Sequence, residues 1–209
     1  MTIDILIHIA LLIAAYLIGS FSSAFWLVKW FYKSDIRQLG SKNAGATNVF
    51  RVFGYKPAIP VFIVDVAKAF AAMQLVYFSN IENELINTVF FLALGIAAFV
   101  GHVFPVFSSF KGGKGVACFL GIVLAVDPLI AFFAVLVFVI VLLVSQTVSL
   151  SSLIASFAYP IIMFIKINDS NLPILIFSVI VPIVMVLTHI ANIKRIFKGE
   201  EKRIFSYRK

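Results

Sequence analysis

Long apolar runs, separated by short polar segments, are the dominant pattern along this chain. Most of these runs reach the ~20 residues that an α-helix needs to cross a bilayer. The runs cover approximately Ile3–Phe31, Pro57–Phe78, Leu85–Phe104, Val116–Val144, Leu150–Ile165 and Leu172–His189. The pattern therefore predicts an all-α integral membrane protein.

The fourth run decides the predicted topology. It contains Asp127-Pro128, and because proline removes a helical hydrogen bond we expect a helix break there, which makes seven transmembrane helices. The loops 33–56 and 105–115 and the tail 189–209 then share one side, which with Lys29 carries fifteen of the seventeen Lys and Arg residues. The positive-inside rule makes that side cytoplasmic. We predict that the N-terminus lies outside and the C-terminus in the cytoplasm.

Composition narrows the class of protein further. The 209 residues are 62% apolar and 12% charged, with a mean hydropathy of +1.09. Soluble domains are about 45–50% apolar and about 25% charged, so a soluble domain, a disordered chain and a coiled coil are excluded. The net charge of +8 is explained by basic cytoplasmic loops, and we expect no nucleic-acid partner. The single Cys118 excludes an intrachain disulfide framework and a multi-cysteine metal site.

We therefore expect residues 1–209 to form a single polytopic membrane domain, with no metal and no cofactor. The candidate chemistry lies in three polar segments on the cytoplasmic side. The first is Gly40–Asn48, followed by Arg51. Small residues let backbone N–H groups approach a ligand, while Ser, Asn, Thr, Lys and Arg add polar and charged contacts. This composition favours a phosphate-binding loop, and the alternative is a polar turn that caps an interfacial helix.

The second segment is Lys111–Gly115, which directly precedes an apolar run. A glycine-rich backbone at a helix N-terminus favours anion binding, and two lysines reinforce it. The segment is not a Walker A loop, because Ser108 and Gly115 occupy positions where that motif requires Gly and Ser or Thr. A flexible basic turn is the alternative interpretation.

The third segment runs from His189 to Glu201. The three-residue spacing of His189, Asn192 and Arg195 predicts that they share one helical face. A helix end with basic interfacial anchors is the alternative. Within the second run, Asp65 and Lys68 are also three residues apart. Charges inside a span are costly and usually paired, so an intrahelical ion pair is the favoured interpretation.

Taken together, these segments resemble the bacterial acylphosphate:glycerol-3-phosphate acyltransferase family (PlsY). The resemblance extends over nearly the whole chain. In order, it comprises Gly19-Ser20, Asp35-Ile36-Arg37, Gly40–Asn48 (GSKNAGATN) with Arg51, Asp65-x-x-Lys68, Gly101–Ala117, Val148–Ser152 and His189–Glu201. The family's seven-span topology with an outer N-terminus agrees with the charge count. The chain departs from the family pattern at Ala69, Ser109 and Ile190, none of which is assigned to catalysis.

The resemblance implies a reaction. A fatty acyl group would move from acylphosphate to the 1-hydroxyl of sn-glycerol 3-phosphate, giving lysophosphatidic acid for phospholipid biosynthesis. The active site would face the cytoplasm at the bacterial inner membrane. Membrane lipid would surround the protein, and the resemblance also suggests as a partner the soluble enzyme that makes acylphosphate.

The resemblance also assigns roles to residues. The implied catalytic residues are Ser41, Arg51, Lys114 and His189. With Ser152 and Asn192 they would surround glycerol 3-phosphate, and Arg51 and Lys114 would hold the phosphates of both substrates. The donor pocket would be shaped, through backbone N–H groups, by Asn43, Gly45, Thr47, Gly112 and Gly113. Glu201 would act mainly by positioning the tail.

Two alternatives stay open at this point. The inner loops contain no obvious general base, so we expect a phosphate oxygen of a substrate to accept the proton, with His189 as the rival. The second alternative is a membrane transporter or channel for an organic phosphate. A transporter would need polar residues at the midplane of several spans, whereas here only Asp65 and Lys68 interrupt an apolar run.

Overall fold

The computed structural model describes residues 2–166 and 171–204, and within these ranges every regular element is a helix. The α-helices are α1 Thr2–Ser20, α2 Ser23–Tyr32, α3 Ala46–Phe53, α4 Tyr55–Met73, α5 Glu84–Val103, α6 Val116–Val126, α7 Pro128–Ser145, α8 Val148–Lys166, α9 Leu172–Thr188 and α10 Ile190–Phe197. Short 3₁₀ turns cover Ile36–Gln38, Gln74–Phe78 and Val106–Ser108. The prediction of an all-α fold is confirmed. Residues 167–170, in a loop predicted to lie on the outer side, and the last five residues of the predicted tail are not among the described residues.

Five helical segments in the described ranges are long and apolar enough to cross a membrane. They are Ile3–Ser20, Tyr55–Phe78, Glu84–Ser108, Pro128–Ser145 and Val148–Lys166. A sixth is obtained if α9 and α10, which meet at an angle of 68°, count as one broken span. The remaining apolar helix, α6, has only 11 residues. The number of seven spans and the orientation of the termini therefore stay predictions.

The first apolar run is two helices, and its prediction as one continuous span is wrong. The helix breaks at Phe21-Ser22, where Ser22 has non-helical dihedrals and becomes the N-cap of α2. The break leaves the carbonyl oxygen of Phe21 outside the helical ladder, and Lys68 Nζ of α4 donates to it at 2.7 Å. Unsatisfied backbone groups are costly away from water, so this long-range contact stabilises the break.

The predicted break at Asp127-Pro128 is confirmed. Asp127 Oδ1 accepts hydrogen bonds from the amides of Leu129 at 2.9 Å and Ile130 at 3.1 Å, which caps α7. Pro128 begins α7, a position where its missing N–H costs nothing. The Asp127 carboxylate also pairs with Lys166 at the end of α8.

The chain divides into two compact units, Met1–Ala125 and Val126–Lys209. In the first unit α1 packs closely along α5. A Cβ atom on Gly101 would lie 2.2 Å from the Tyr16 carbonyl oxygen, and one on Gly19 would lie 2.0 Å from the Ala98 carbonyl oxygen. Only glycine permits these two backbones to approach so closely. The prediction of a single polytopic domain stays a prediction.

In the second unit α8 packs against both α7 and α9. Its core contains Leu153, Tyr159 and Met163 of α8 and Phe177 and Met185 of α9, all buried. This unit carries the third polar segment at the carboxyl end of α9.

Candidate functional site

The first polar segment is not an extended loop. It contains helix α3, which begins after Gly45 and carries Arg51 in its last turn. Val49 of α3 is fully buried, in a cluster with Val28 of α2 and Ile36. Thr47 and Arg51 are four residues apart, so they lie on one face of α3. Packing of Val49 thus fixes the helix on which two of the predicted site residues stand.

Asn48 organises the turn before α3. It is 1% exposed, and its Oδ1 accepts the Ser41 amide at 2.8 Å. Its Nδ2 lies within 3.0–3.1 Å of three carbonyl oxygens, those of Ile36, Leu39 and Asn43. One buried amide therefore holds the backbone that carries both Ser41 and Asn43.

Asp35 and Arg37 fasten the first segment to the second. Arg37 donates from Nε to Asp35 Oδ1 at 2.9 Å and from a terminal nitrogen to Oδ2 at 2.7 Å. Its other terminal nitrogen donates to the Ser108 carbonyl oxygen at 2.7 Å, and its guanidinium lies 4.2 Å from the centre of the Phe25 ring. The Arg37 hydrogen bonds hold the pKa of the Asp35 carboxyl below its usual value.

The glycines of the second segment pack against the carboxyl end of α5. The Gly112 amide donates to the Val103 carbonyl at 3.1 Å, and the Gly113 amide donates to the His102 carbonyl at 3.2 Å. A Cβ atom on Gly112 would lie 2.0 Å from the His102 carbonyl oxygen. The expectation that these two amides point to a substrate is therefore wrong, because tertiary contacts with α5 already use them. Their lack of side chains instead allows the close approach that places Lys114.

The two polar segments touch each other. A Cβ atom on Gly113 would lie 2.9 Å from the carbonyl oxygen of Ala44, which stands between Asn43 and Gly45. The first segment leads through Gly45 into the N-terminus of α3, and the second leads through Gly115 into the N-terminus of α6. Helix N-termini carry a partial positive charge and favour anions. With Lys114 on one segment and Arg51 on the other, the arrangement can bind phosphate groups.

The ion pair predicted inside the second apolar run is confirmed. Lys68 Nζ lies 2.8 Å from Asp65 Oδ1, and the two side chains are 6% and 3% exposed. Since Lys68 also donates to the Phe21 carbonyl, the pair joins α4 to the break between α1 and α2.

The second unit holds a separate group of polar residues around Glu201. Ser149 Oγ and Asn192 Nδ2 donate to its Oε1 at 2.8 and 2.6 Å, and Arg195 Nε donates to its Oε2 at 2.6 Å. Burial by itself raises the pKa of the Glu201 carboxyl, but these three hydrogen bonds outweigh it, so the pKa lies below its usual value. The Ile204 amide donates to the Gln146 carbonyl at 2.7 Å, a second attachment of the tail.

His189 lies at the bend between α9 and α10. Its side chain turns back to α9, where Nδ1 lies 2.9 Å from the Met185 carbonyl oxygen. Asn192 and Arg195 share a face of α10, since both contact Glu201, and the placement of His189 on the same face stays a prediction. Because a carbonyl only accepts, Nδ1 carries the proton, and Nε2 has the lone pair in the neutral ring.

Ser152, the remaining site residue of this unit, is buried on α8. Its hydroxyl donates to the Val148 carbonyl oxygen one turn earlier, at 2.8 Å. Within the described ranges no three His, Cys, Asp or Glu side chains come together as a metal site would require.

No individual role was predicted from the sequence for Asn48, Arg37, His102 or Ser149. Arg37 and Asn48 stand inside the quoted motifs, yet their function depends on which backbone groups they reach. Ser149 lies in the quoted motif Val148–Ser152, but its contact with Glu201 joins residues that are 52 apart in the sequence. For His102, the signal was its position shortly before the glycine-lysine segment.

Comparisons with known proteins agree with these motifs. Residues 9–199 match the family described as glycerol-3-phosphate acyltransferase. The chain is 41% identical over 204 residues to a glycerol-3-phosphate acyltransferase of Listeria welshimeri, covering 98% of both chains. It is 40% identical over 199 residues to the enzyme of the same name from Staphylococcus aureus, covering 94% of this chain and 97% of the relative.

Two solved structures have the same fold. Both are crystal structures of PlsY, described as an integral membrane glycerol 3-phosphate acyltransferase. The glycerol 3-phosphate form has a TM-score of 0.83 at 35% identity, and the lysophosphatidic acid form has a TM-score of 0.81 at 34% identity. Each comparison covers 94% of both chains.

Proposed function

This chain belongs to the glycerol-3-phosphate acyltransferase family and is a multi-pass membrane protein, and on that basis we propose its donor, its site and its mechanism. The acyl acceptor is sn-glycerol 3-phosphate, the donor is a long-chain acylphosphate, and the product is 1-acyl lysophosphatidic acid. The active site faces the cytoplasm at the inner membrane. The soluble enzyme that makes acylphosphate is the proposed supplier of the donor.

One observation carries the proposal. Two segments with the composition of anion loops touch at Ala44 and Gly113, and each leads into a helix N-terminus. Both substrates of the proposed reaction carry a phosphate, and Arg51 and Lys114 are the proposed cationic ligands of these phosphates. Ser41, Asn43, Gly45 and Thr47 are proposed to shape the pocket beside them.

Family membership also supports roles for residues of the second unit. Ser152, His189 and Asn192 contribute polar groups for glycerol 3-phosphate, and Glu201 acts by anchoring the tail. The support for these roles is family membership together with the hydrogen bonds of Glu201.

The mechanism follows from the chemistry of the donor. Acylphosphate is an activated mixed anhydride, so attack of the 1-hydroxyl oxygen on the acyl carbonyl carbon forms the ester bond. The bond between that carbon and the phosphate oxygen breaks, and inorganic phosphate leaves. Arg51 and Lys114 stabilise charge on the carbonyl oxygen and the leaving phosphate. Positioning of the two substrates supplies a large part of the acceleration.

The hydroxyl proton needs an acceptor within reach. A phosphate oxygen of a substrate is the proposed acceptor, because two carboxylates of the described inner segments are already committed. Asp35 is bound to Arg37, and Glu201 is bound to Arg195. Nε2 of His189 is the rival acceptor. A pH–rate profile whose acidic limb is present in the parent and absent in His189→Gln would select His189.

The competing function is transport of an organic phosphate. The charged residues inside the second apolar run, Asp65 and Lys68, form an ion pair with each other. Because their charges are paired, they are poorly suited to conduct an ion through the membrane. The test is product formation by purified protein in detergent or a lipid mesophase. An acyltransferase converts glycerol 3-phosphate and palmitoyl phosphate into lysophosphatidic acid there, and a transporter forms no product.

A further inference from the structure

A buried polar cluster, formed by Ser23, Asp65, Lys68 and His102, lies beneath the second polar segment. Its four side chains come from α2, α4 and α5, and none of the four residues is more than 7% exposed. The chemistry proposed above gives no role to this cluster. Buried ionic groups are expensive, so a cluster of this kind needs a reason beyond stability.

The cluster fixes one carboxylate oxygen. Asp65 Oδ1 accepts a hydrogen bond from Ser23 Oγ at 2.8 Å and lies 2.8 Å from Lys68 Nζ. His102 Nδ1 faces the same oxygen at 3.5 Å, an ion-pair distance, and forms no hydrogen bond within the described residues. Three elements thus converge on Asp65, and the edge of the imidazole that carries Nδ1 is turned towards it.

The other nitrogen of the His102 ring, Nε2, faces the second polar segment. A Cβ atom on Gly113 would lie 2.3 Å from His102 Nε2 and 3.0 Å from Cε1. The amide of Gly113 donates to the carbonyl of the same histidine at 3.2 Å. The backbone therefore packs on the ring one residue before Lys114, so the position of the ring determines the position of the Lys114 backbone.

We infer that His102 is a positioning residue for the segment 111–115, with its ring packed between Asp65 and the Gly113 backbone, so that Lys114 is placed to meet a phosphate group. The imidazole is a rigid spacer between a fixed carboxylate and a glycine backbone. A flexible side chain in its place leaves the segment unsupported, and a misplacement of about 1 Å is enough to weaken a site that depends on orientation. The inference rests on the proposed function in one respect, namely that the ligand of Lys114 is a phosphate.

The test compares His102, in the last turn of α5, with His8, whose ring contacts α5. His8 Nε2 lies 2.9 Å from the Ser79 carbonyl oxygen, and its ring packs on Phe90 of α5 at 5.0 Å. His8 thus contacts the opposite end of α5 from His102, and His8→Gln is the matched control for His102→Gln. The probe is inorganic phosphate, and the readout is the concentration that gives half of the maximal rise in Tm of the purified protein. Lys114→Ala marks the behaviour of a site without its cation.

We expect His102→Gln to need at least tenfold more phosphate than the parent, a change of about 1.4 kcal/mol, while His8→Gln matches the parent. A purely structural role for His102 would lower the starting Tm without changing the half-maximal concentration. That outcome, or a parent protein that phosphate does not protect, would overturn the inference. Lysophosphatidic acid formation by the parent is scored separately, so that failure of the proposed function is recognised by itself.

A second test changes Gly113, the other partner of the same contact, and leaves the buried cluster intact. Gly113→Ala places a methyl group against the His102 ring, so its phosphate protection should weaken at least as much as that of His102→Gln. In a His102→Ala background the obstructing ring is gone, and the further loss caused by Gly113→Ala should be smaller. Equal losses in both backgrounds would show that the ring does not support the segment.

Discussion

Replacement of Asn48 tests whether one buried amide holds the first polar segment in its active shape. The amide forms four contacts, but its two N–H groups serve three carbonyl oxygens, so the equivalent of three hydrogen bonds is lost in Asn48→Ala. At about 1 kcal/mol net for each bond, the ordered segment loses about 3 kcal/mol. We expect activity to fall roughly 100-fold, since Ser41 and Asn43 are then held by a segment that is mostly disordered.

Two further variants separate the causes. Asn48→Asp keeps the acceptor for the Ser41 amide but turns a carboxylate oxygen towards three carbonyls, so it should lose at least as much activity as Asn48→Ala. Asn83→Ala removes an asparagine that accepts the Ile86 amide at 3.0 Å and caps α5. It should cost about 1 kcal/mol of stability and leave activity unchanged, because it lies at the far end of that helix.

The assay is the rate of lysophosphatidic acid formation, measured beside the fraction of protein recovered folded and the hydrogen exchange of residues 36–45. Faster exchange confined to this segment is the expected signature in Asn48→Ala. Activity within threefold of the parent, with normal recovery of folded protein, would refute the idea that Asn48 organises the site.

Three other predictions follow from the same structure. Arg51→Ala and Ser41→Ala should each lower activity about 30- to 1000-fold, the range for a transition-state contact of about 2–4 kcal/mol. A loss below threefold for Arg51→Ala would show that α3 is not part of the site. Because the pKa of Glu201 is lowered, its carboxylate anchors the tail at neutral pH and is lost only as pH falls through the lowered pKa. Protection of the Ile204 amide from hydrogen exchange should therefore persist in the parent below the usual pKa of a glutamate and be absent at pH 7 in Glu201→Gln. Equal protection in both proteins would contradict the anchoring role. After Cys118 is replaced, a cysteine at Glu84 should react with an impermeant reagent added outside intact cells and one at Lys202 should not; equal labelling would reject the seven-span topology.

Apolar periodicity and proline chemistry predicted the helices and the break at Asp127, because both are local properties of the chain. The break at Phe21 was not predictable in the same way. Small polar residues, Ser20, Ser22 and Ser23, surround it, but what stabilises the break is Lys68, which is 47 residues away in the sequence. Helix α3 was not predicted because its eight residues lie inside a segment that is polar overall.

In the candidate site, too, local features were predictable from the sequence and long-range contacts were not. Composition indicated two anion-binding segments, and the motifs selected Arg51 and Lys114, but no local pattern shows that the amides of Gly112 and Gly113 are used by the end of α5. Ser109 is instructive in the opposite direction. It has a left-handed φ of 57°, a conformation in which glycine, the residue of the family pattern, is less strained. The departure from the motif at Ser109 therefore coincides with a backbone constraint that only the fold reveals.

The choice of donor tests the central claim most directly. Purified protein is supplied with glycerol 3-phosphate and, in parallel, with palmitoyl phosphate or palmitoyl-CoA, and lysophosphatidic acid is measured, with Arg51→Ala as the site control. Two small glycine-rich segments beside Arg51 and Lys114 suit a phosphate, and a thioester offers no phosphate at the reacting carbonyl for them to orient. The account predicts turnover with palmitoyl phosphate that Arg51→Ala largely abolishes, and much slower turnover with palmitoyl-CoA. Turnover with palmitoyl-CoA that equals or exceeds turnover with palmitoyl phosphate would contradict it.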